Sequence, residues 1–484
     1  MSGLSFLQDF SPEALLLLGA AVCAGRDLGS ARGRRLPQGR FIALAALVLA
    51  FLASVGFWHS SFGARPPDIE HGSLVVDRFA LFFYATTLAA AGALLLCGAD
   101  AEPELEPHLG VFQALLLVAC AGVLITASST DLVTLGAGLA LTGLPLALAG
   151  GLRKTDAAAL RVAARSLSLG GLALVLFLLG AAALAGLSGA TGLRPLAGGL
   201  HHLDPLLILA ALLVLLGGLA QLGAFPYVWW RERQARELPG LPLLAAVLLG
   251  ALAGGAALLR VLPGALGAWP QSWALAAAVM AALTLVVAPW LAWRSRQLGL
   301  VALLLVIGQL ALVPATLPQI SQRGTAAILY LLLCTVPLAA GLLGLMAGLA
   351  TRGVTTSLVG LRGIWQRSPL LAAGLCLLLA GLAGLPPLAG FMARLVVVDS
   401  ALHAGYGWLA WLELLSAVAS ALVALRWLLV IFDLRTEGPE LAPPQPSVRV
   451  GVLLCAGAVC GFGILVGPLF AIASRAGLAP LIGP

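Results

Sequence analysis

Charged side chains are scarce in this sequence, and lysine is scarcer still. Only 10% of the 484 residues are charged, and Lys154 is the single lysine. Soluble domains carry roughly 25% charged residues, so this composition cannot cover a water-soluble particle of this size. The basic residues are almost all arginines in short loops between apolar runs, which argues against a nucleic-acid partner. The composition therefore excludes a soluble globular protein.

Metal-ligand patterns and long polar segments are missing as well. The seven cysteines form no Cys-x-x-Cys or Cys/His cluster, so their expected role is that of small buried hydrophobes. The polar stretches 59–77, 99–109 and 433–449 are too short to fold around a cofactor. We therefore expect no cofactor, metal or redox reaction in this chain itself. Residues 1–10 lack a basic region and a small-residue cleavage site, so no cleaved signal is expected.

Long apolar runs take the place of polar surface. A helix needs about 20 apolar residues to cross the ~30 Å hydrocarbon core of a bilayer. Such runs recur throughout, with rough cores at 12–25, 41–58, 78–97, 110–126, 131–150, 160–187, 205–230, 240–262, 269–293, 298–316, 324–350, 368–398, 405–432 and 450–472. We expect an all-α, polytopic membrane protein with about 14 transmembrane helices.

The loops predict an orientation for these spans. If the N-terminus faces outward, the loops after odd-numbered spans hold 17 basic residues and the opposite loops hold 6. Basic residues concentrate on the cytoplasmic side. We therefore expect a bacterial inner-membrane protein with both termini in the periplasm. The acidic loop after the third span is an exception to this pattern.

Two predicted spans contain prolines that interrupt a helix. Pro226 lies inside the seventh span, and Pro386 with Pro387 lies inside the twelfth. Interior proline breaks the helical hydrogen-bond ladder, and paired broken helices are typical of inverted-repeat transporters. The alternative to a repeat is that these prolines only kink two ordinary membrane helices. The favoured division has an N-terminal three-helix segment at 1–109, five-helix repeats at 110–262 and 263–432, and a surface connection with the last helix at 433–484.

Few side chains inside the spans could exchange a proton. Glu413 is the one acid well within a predicted span; it is either a functional acid or an anchor at the outer interface beside Trp408 and Trp411. Four arginines also fall within spans, but arginine stays protonated. For Arg161 and Arg165 the simpler role is snorkelling to the lipid edge. Arg394 is favoured as a site residue, and Arg426 is expected to be an interfacial anchor. The candidates for a polar path are Arg161, Gln221, Gln309, Arg394 and Glu413.

Several motifs resemble one known family. LAGLAGLPPLAGFMARL, GGLAQLGAFPYVWW and ASSTDLVTLGAGLALTGLPLALAGGLRK are similar to the proton-translocating, antiporter-like membrane subunits of respiratory complex I. The similarity is strongest to subunit N of bacterial NADH:quinone oxidoreductase and runs from about residue 77 to 432. The resemblance implies sister antiporter-like and small membrane subunits and surrounding lipids as partners. NADH and quinone would bind to other subunits.

The departures from the family pattern concern its charged axis. The family's glutamate of the fifth span aligns with Ala140, and its lysine of the seventh span aligns with Gln221. A further lysine falls on Ala251 or Leu252. The lysines of the sixth and twelfth spans align with Arg161 and Arg394, and a polar residue of the tenth falls near Val306.

The resemblance therefore implies a membrane-arm subunit whose own proton channel is degenerate and whose role is structural. A route that still conducts through Gln221, Gln309, Glu413 and water is one alternative. A subunit of a related membrane-bound hydrogenase or Mrp-type cation/proton antiporter is another. A stand-alone carrier is a third, although few polar groups are present to line a substrate cavity.

Overall fold

A computed structural model describes residues 11–29, 38–61, 73–105, 108–152, 157–237, 240–352, 354–433 and 444–477. Within these residues the chain is helical throughout, with three isolated β-bridges and no strand. The expected all-α class is confirmed. Lys154, residues 1–10 and most of the predicted connection 433–449 lie outside the described residues.

Seventeen longer helices account for most of the described residues. They are α1 (Ser11–Gly29), α2 (Gln38–Ser61), α3 (Arg78–Cys97), α4 (Leu109–Ser128), α5 (Leu132–Ala149), α6 (Ala157–Ser188), α7 (Pro205–Leu222), α8 (Val228–Glu237), α9 (Leu241–Leu259), α10 (Ala274–Arg294), α11 (Leu298–Leu310), α12 (Gln322–Thr351), α13 (Pro369–Ala383), α14 (Ala389–His403), α15 (Gly407–Ile431), α16 (Pro446–Ile464) and α17 (Val466–Gly477).

The helices coincide with the apolar runs of the sequence. In the described part of the chain, twelve helical segments are long and apolar enough to cross a membrane. Helix α1 and the broken pair α13 and α14 overlap the two other predicted spans, so fourteen crossings stays a prediction. The predicted core 450–472 does not form one helix, because α16 ends at Ile464 and the separate α17 follows and packs against α12.

The most deeply buried helices are α9, α11 and α12. They are almost wholly covered by other helices, whereas α2, α6, α15 and α16 present large apolar surfaces. Helix α9 packs against α4, α5, α7 and α12, and α12 also contacts α3, α11, α13 and α14. A helix that is apolar on all sides is buried in a protein or a membrane. The core of the molecule is therefore formed by α9, α11 and α12, of which α9 and α11 carry almost no polar side chain.

One backbone link occurs twice in the chain. The N–H of Leu132, at the start of α5, donates to the carbonyl of Thr191 beyond α6 over 2.9 Å. The N–H of Leu298, at the start of α11, donates in the same way to Thr356 beyond α12 over 2.7 Å. Both links join the second helix of a predicted five-helix repeat to the segment after the third helix of that repeat.

Buried ion pairs tie the N-terminal helices to the rest. Arg260, predicted to lie in an outer loop, is instead buried; it pairs with Asp77 over 2.9 Å and donates to the carbonyl of Ala127. At the opposite end of α3, Arg352 pairs with Asp100. The prediction that Arg260 lies in a loop was wrong, because α9 continues as a π-helix through residues 260–265 and the side chain points inward.

Candidate functional site

The first helix break lies between α7 and α8. Helix α7 ends in a left-handed Gly223, with φ of 68°, and the N–H of Ala224 donates to the carbonyl of Leu219 over 3.1 Å. This is the Schellman arrangement, in which glycine supplies the positive φ and the following N–H groups satisfy carbonyls of the last turn. Pro226 follows three residues later. The predicted interruption of the seventh span is therefore present, and glycine sets the point where the helix ends.

The second break, between α13 and α14, has the same construction. Gly384 takes a φ of 83°, and the N–H of Leu385 donates to the carbonyl of Ala380 over 3.0 Å. Pro386 and Pro387 come directly afterwards. The helix ends at both breaks leave further carbonyl oxygens without an intrahelical partner.

A buried arginine satisfies such carbonyls at the first break. Arg231, from α8, donates from Nη2 to the carbonyl of Gln221 over 3.3 Å. Its Nη1 donates to Gln234 Oε1 over 3.1 Å, and Gln234 Nε2 donates to Ser166 Oγ over 2.9 Å. These four residues form what we call the first break site. The side chain of Arg231 is 5% exposed, so its charge lies inside the protein.

A small cavity adjoins the first break site. Its volume is about 50 Å³, and its lining includes Ala140, Gly143, Gln221, Arg231 and Gln234. One water needs at least ~10–15 Å³ of such volume, so the cavity holds a few waters at most. Ala140, which aligns with the family's glutamate of the fifth span, therefore lines this cavity with a methyl group.

The second break site consists of Gln309, Arg394 and Glu413. Arg394, from α14, donates from Nη2 to the carbonyl of Leu382 over 3.3 Å and from Nε to Gln309 Oε1 over 3.0 Å. All three side chains are buried, and the charges of Glu413 and Arg394 interact. The structure thus brings together three of the predicted path residues. Glu413 faces the protein interior, away from the exposed Trp408 and Trp411.

Three buried polar atoms of the second break site have no hydrogen-bond partner among the described residues. They are Gln309 Nε2, Arg394 Nη1 and Glu413 Oε1. Buried polar groups are normally satisfied by protein or by ordered water. The second break site is therefore a buried polar cluster whose hydrogen-bonding capacity is only partly used by the protein.

The helix that packs beside the first break site is wholly apolar. Helix α9, which packs against Gln221 through Gly250 and Gly254, consists of leucine, alanine, valine, glycine and proline alone. Ala251 on α9 and Val306 on α11 are both buried. On α12, the hydroxyl of Thr335 donates to a carbonyl of its own helix. Among the described residues of α9, no side chain could relay a proton from one site to the other.

The remaining predicted residues lie elsewhere. Arg161 and Arg165 are exposed on α6, and no contact among the described residues joins Arg161 to either break site; snorkelling to the lipid edge stays a prediction. Arg426 lies at the edge of α15, where it donates to the carbonyl of Trp293. Sequence analysis missed Arg231, which was counted as a loop residue. The spacing of Arg231 and Gln234, three residues apart beyond an interrupted helix, is the signal that could have identified them.

The two buried arginines hold fixed charge but cannot pass a proton on. Arginine cannot be deprotonated in a protein under ordinary conditions, so Arg231 and Arg394 do not exchange protons. Their guanidinium groups instead secure the broken ends of α7 and α13. Glu413 is the one acid of the two break sites, and it lies near the permanent cation of Arg394.

Comparisons with known proteins agree with this architecture. A family model described as NADH:quinone oxidoreductase/Mrp antiporter, transmembrane, matches residues 129–420. NADH-quinone oxidoreductase subunit N 1 of Sorangium cellulosum is 32% identical over 496 aligned residues, which cover 96% of each chain.

Two solved structures share the fold. One is a chain of respiratory complex I from Thermus thermophilus with bound aureothin, with a TM-score of 0.77, 24% identity and coverage of 96% of this chain and 99% of that one. The other belongs to the membrane-bound sulfane sulfur reductase, an archaeal respiratory membrane complex, with a TM-score of 0.86, 19% identity and coverage of 99% and 98%. From its matched residues and its full-length relatives, this polytopic membrane protein belongs to the NADH:quinone oxidoreductase/Mrp antiporter transmembrane family.

Proposed function

We propose that this chain is a membrane-arm, antiporter-like subunit of a proton-translocating NADH:quinone oxidoreductase. Its full-length similarity to the Sorangium cellulosum subunit N supports the host complex. In this proposal its own proton channel is interrupted and it contributes structure to the arm. NADH and quinone bind to other subunits of the complex in this proposal.

The interrupted channel is supported mainly by the two buried arginines at the helix breaks. Arg231 and Arg394 each donate to carbonyls of the preceding half-helix, so they occupy these sites as structural cations. Ala140, Gln221 and Ala251 stand where the resemblance implies titratable side chains. A chain of hydrogen-bonded groups that gain and lose protons is what intramembrane proton transfer requires.

We infer that residues 110–262 and 263–432 are two inverted repeats. Their support is the repeated backbone link at Leu132 and Leu298 and the repeated Schellman ending at Gly223 and Gly384. In both repeats an arginine of the second half-helix donates to the first half-helix. Residues 1–109 then form a three-helix segment, and residues 433–484 hold the connection and the last helix.

The chain is a multi-pass protein of the bacterial inner membrane in this proposal, with both termini in the periplasm. The excess of arginine in the loops after odd-numbered spans supports this orientation. Sister antiporter-like subunits and small membrane subunits are its proposed neighbours.

Restoring the family's titratable groups tests the interrupted channel. We expect the triple variant Ala140→Glu, Gln221→Lys and Arg394→Lys to pump no more protons than the unmodified complex, because the apolar α9 and Val306 still separate the two sites. Proton uptake by vesicles containing the complex measures this. A clear gain in pumping would contradict the interrupted channel. Gln221→Lys alone serves as the matched control.

Two other functions remain as alternatives to this proposal. The shared fold with the archaeal sulfane sulfur reductase keeps a hydrogenase-like or Mrp-type host open. Purification of the tagged chain separates these hosts from the proposed one. NADH-oxidising partners co-purify only if the host is an NADH:quinone oxidoreductase. A stand-alone carrier is disfavoured, because the cavity of about 50 Å³ is well below the ~300–1,000 Å³ of small-molecule pockets.

A further inference from the structure

A cluster of arginine and tryptophan lies on the outer surface where α10 and α15 end together. It consists of Trp290, Trp293, Arg294 and Arg426, and we call it the arginine–tryptophan patch. The guanidinium of Arg294 lies 4.9 Å from the centre of the Trp290 ring. Arg426 donates to the carbonyl of Trp293 over 2.8 Å and lies 5.8 Å from that ring. The patch is thus an ordered arrangement that joins two neighbouring helices.

The charges of the patch are not neutralised by the protein. Neither Arg294 nor Arg426 forms an ion pair with an acidic side chain of the described residues. Trp290 and Trp293 are each about half exposed, at 51%. Tryptophan concentrates at the membrane interface, and arginine at a helix end extends toward phosphate there. Both features point to the headgroup level of the bilayer.

Exposed apolar side chains continue from the patch along the same two helices. On α10, Val286 lies one helical turn before Trp290 and is 54% exposed. On α15, Leu422 lies one turn before Arg426 and is 52% exposed. Residues four apart share a helix face. The patch and these apolar side chains together match a lipid, with the headgroup at the helix ends and acyl chains along the helices.

We propose that the arginine–tryptophan patch is a binding site for the phosphate groups of an anionic phospholipid. Arginine binds phosphate through its planar set of N–H donors, and the tryptophan rings hold the guanidinium groups in place. A lipid that carries two phosphates fits two arginines on adjacent helices. This site is independent of the break sites and of the proposed proton-channel defect.

Native mass spectrometry of the purified full-length chain tests this site. Cardiolipin is titrated against phosphatidylcholine of the same acyl chains, and bound lipids are counted. We expect the unmodified chain to retain one cardiolipin preferentially. The double variant Arg294→Gln and Arg426→Gln should bind that lipid about thirtyfold more weakly, since each basic residue near a lipid surface contributes roughly a fivefold effect.

Two matched variants separate this site from general charge. Arg161→Gln removes an exposed arginine of α6, outside the patch, and it should leave the tightly bound cardiolipin in place. Trp290→Leu keeps both charges and should weaken retention severalfold. Equal retention of the two lipids, full retention by the double variant, or an equal loss with Arg161→Gln overturns the proposal. Protection of the patch by a sister subunit in the intact complex, with cardiolipin excluded, also overturns it.

Discussion

Arg231 and Arg394 donate hydrogen bonds to the broken helix ends, a role for which arginine is better suited than lysine. Each guanidinium reaches a free carbonyl and an amide oxygen at once, because its donors spread in a plane. A lysine ammonium can lose its proton when buried, whereas a guanidinium keeps it. The residues that secure these breaks are therefore unsuited to proton exchange, and stability and conduction are separated at the level of single side chains.

Arg231→Met tests the structural role of the first buried cation. The substitution leaves Gln234 and a carbonyl of the last turn of α7 without their donor, and each unsatisfied buried group costs about 1–3 kcal/mol. We expect a clearly lower melting temperature in detergent. Arg233→Met, two residues further along α8 and exposed, should change it little. Equal melting of the two variants would show that Arg231 does not secure the break.

At the scale of elements, the interruptions could be predicted and their details could not. Pro226, Pro386 and Pro387 correctly indicated broken helices, because proline cannot continue the hydrogen-bond ladder. The helices end earlier, at the glycines, since a positive φ is needed for the Schellman hydrogen bonds. Arg231 was not foreseen, because a charged segment after an apolar run gives no sign of which side chain turns inward.

Gly223→Ala and Gly384→Ala test the construction of the breaks. A left-handed alanine costs about 1–2 kcal/mol, and at Gly223 the added Cβ would lie 2.9 Å from Arg231 Cγ. We expect both variants to unfold more readily in thermal melts, with Gly223→Ala the worse. The control is Gly186→Ala in α6, where a Cβ has open space and alanine favours the helix. A stability of Gly223→Ala equal to that of the control would contradict this account.

At the scale of the whole molecule, the sequence predicted the helices better than their contacts. Apolar length defines a span from local composition alone, so most of the cores agree with single helices within a few residues. The cores 205–230, 368–398 and 450–472 each divide into two helices. The environment of Glu413 depends on contacts with distant parts of the chain. Its nearby tryptophans left an interfacial position open, yet it packs toward Arg394. The polar groups that meet across helices are therefore the part that sequence alone did not determine.

The proposed orientation predicts which surfaces are accessible from each side. His202→Cys, in the exposed segment before α7, should react with a membrane-impermeant maleimide added outside intact cells. Arg233→Cys, exposed on α8, should react only in inverted vesicles. The native cysteines are buried or half-buried, which keeps the background low. Reversed labelling would place the termini in the cytoplasm and contradict the arginine asymmetry as interpreted here.

The central claim is that no proton crosses the middle of this subunit. The ratio of protons translocated to electrons delivered from NADH, measured in vesicles containing the intact complex, tests it most directly. The variant Gln221→Leu with Glu413→Gln removes a polar side chain from one break site and the acid from the other. Once assembly of the variant complex has been verified, an unchanged ratio is the expected result. A ratio that falls by the share of one pumping subunit would show that protons do pass through this chain.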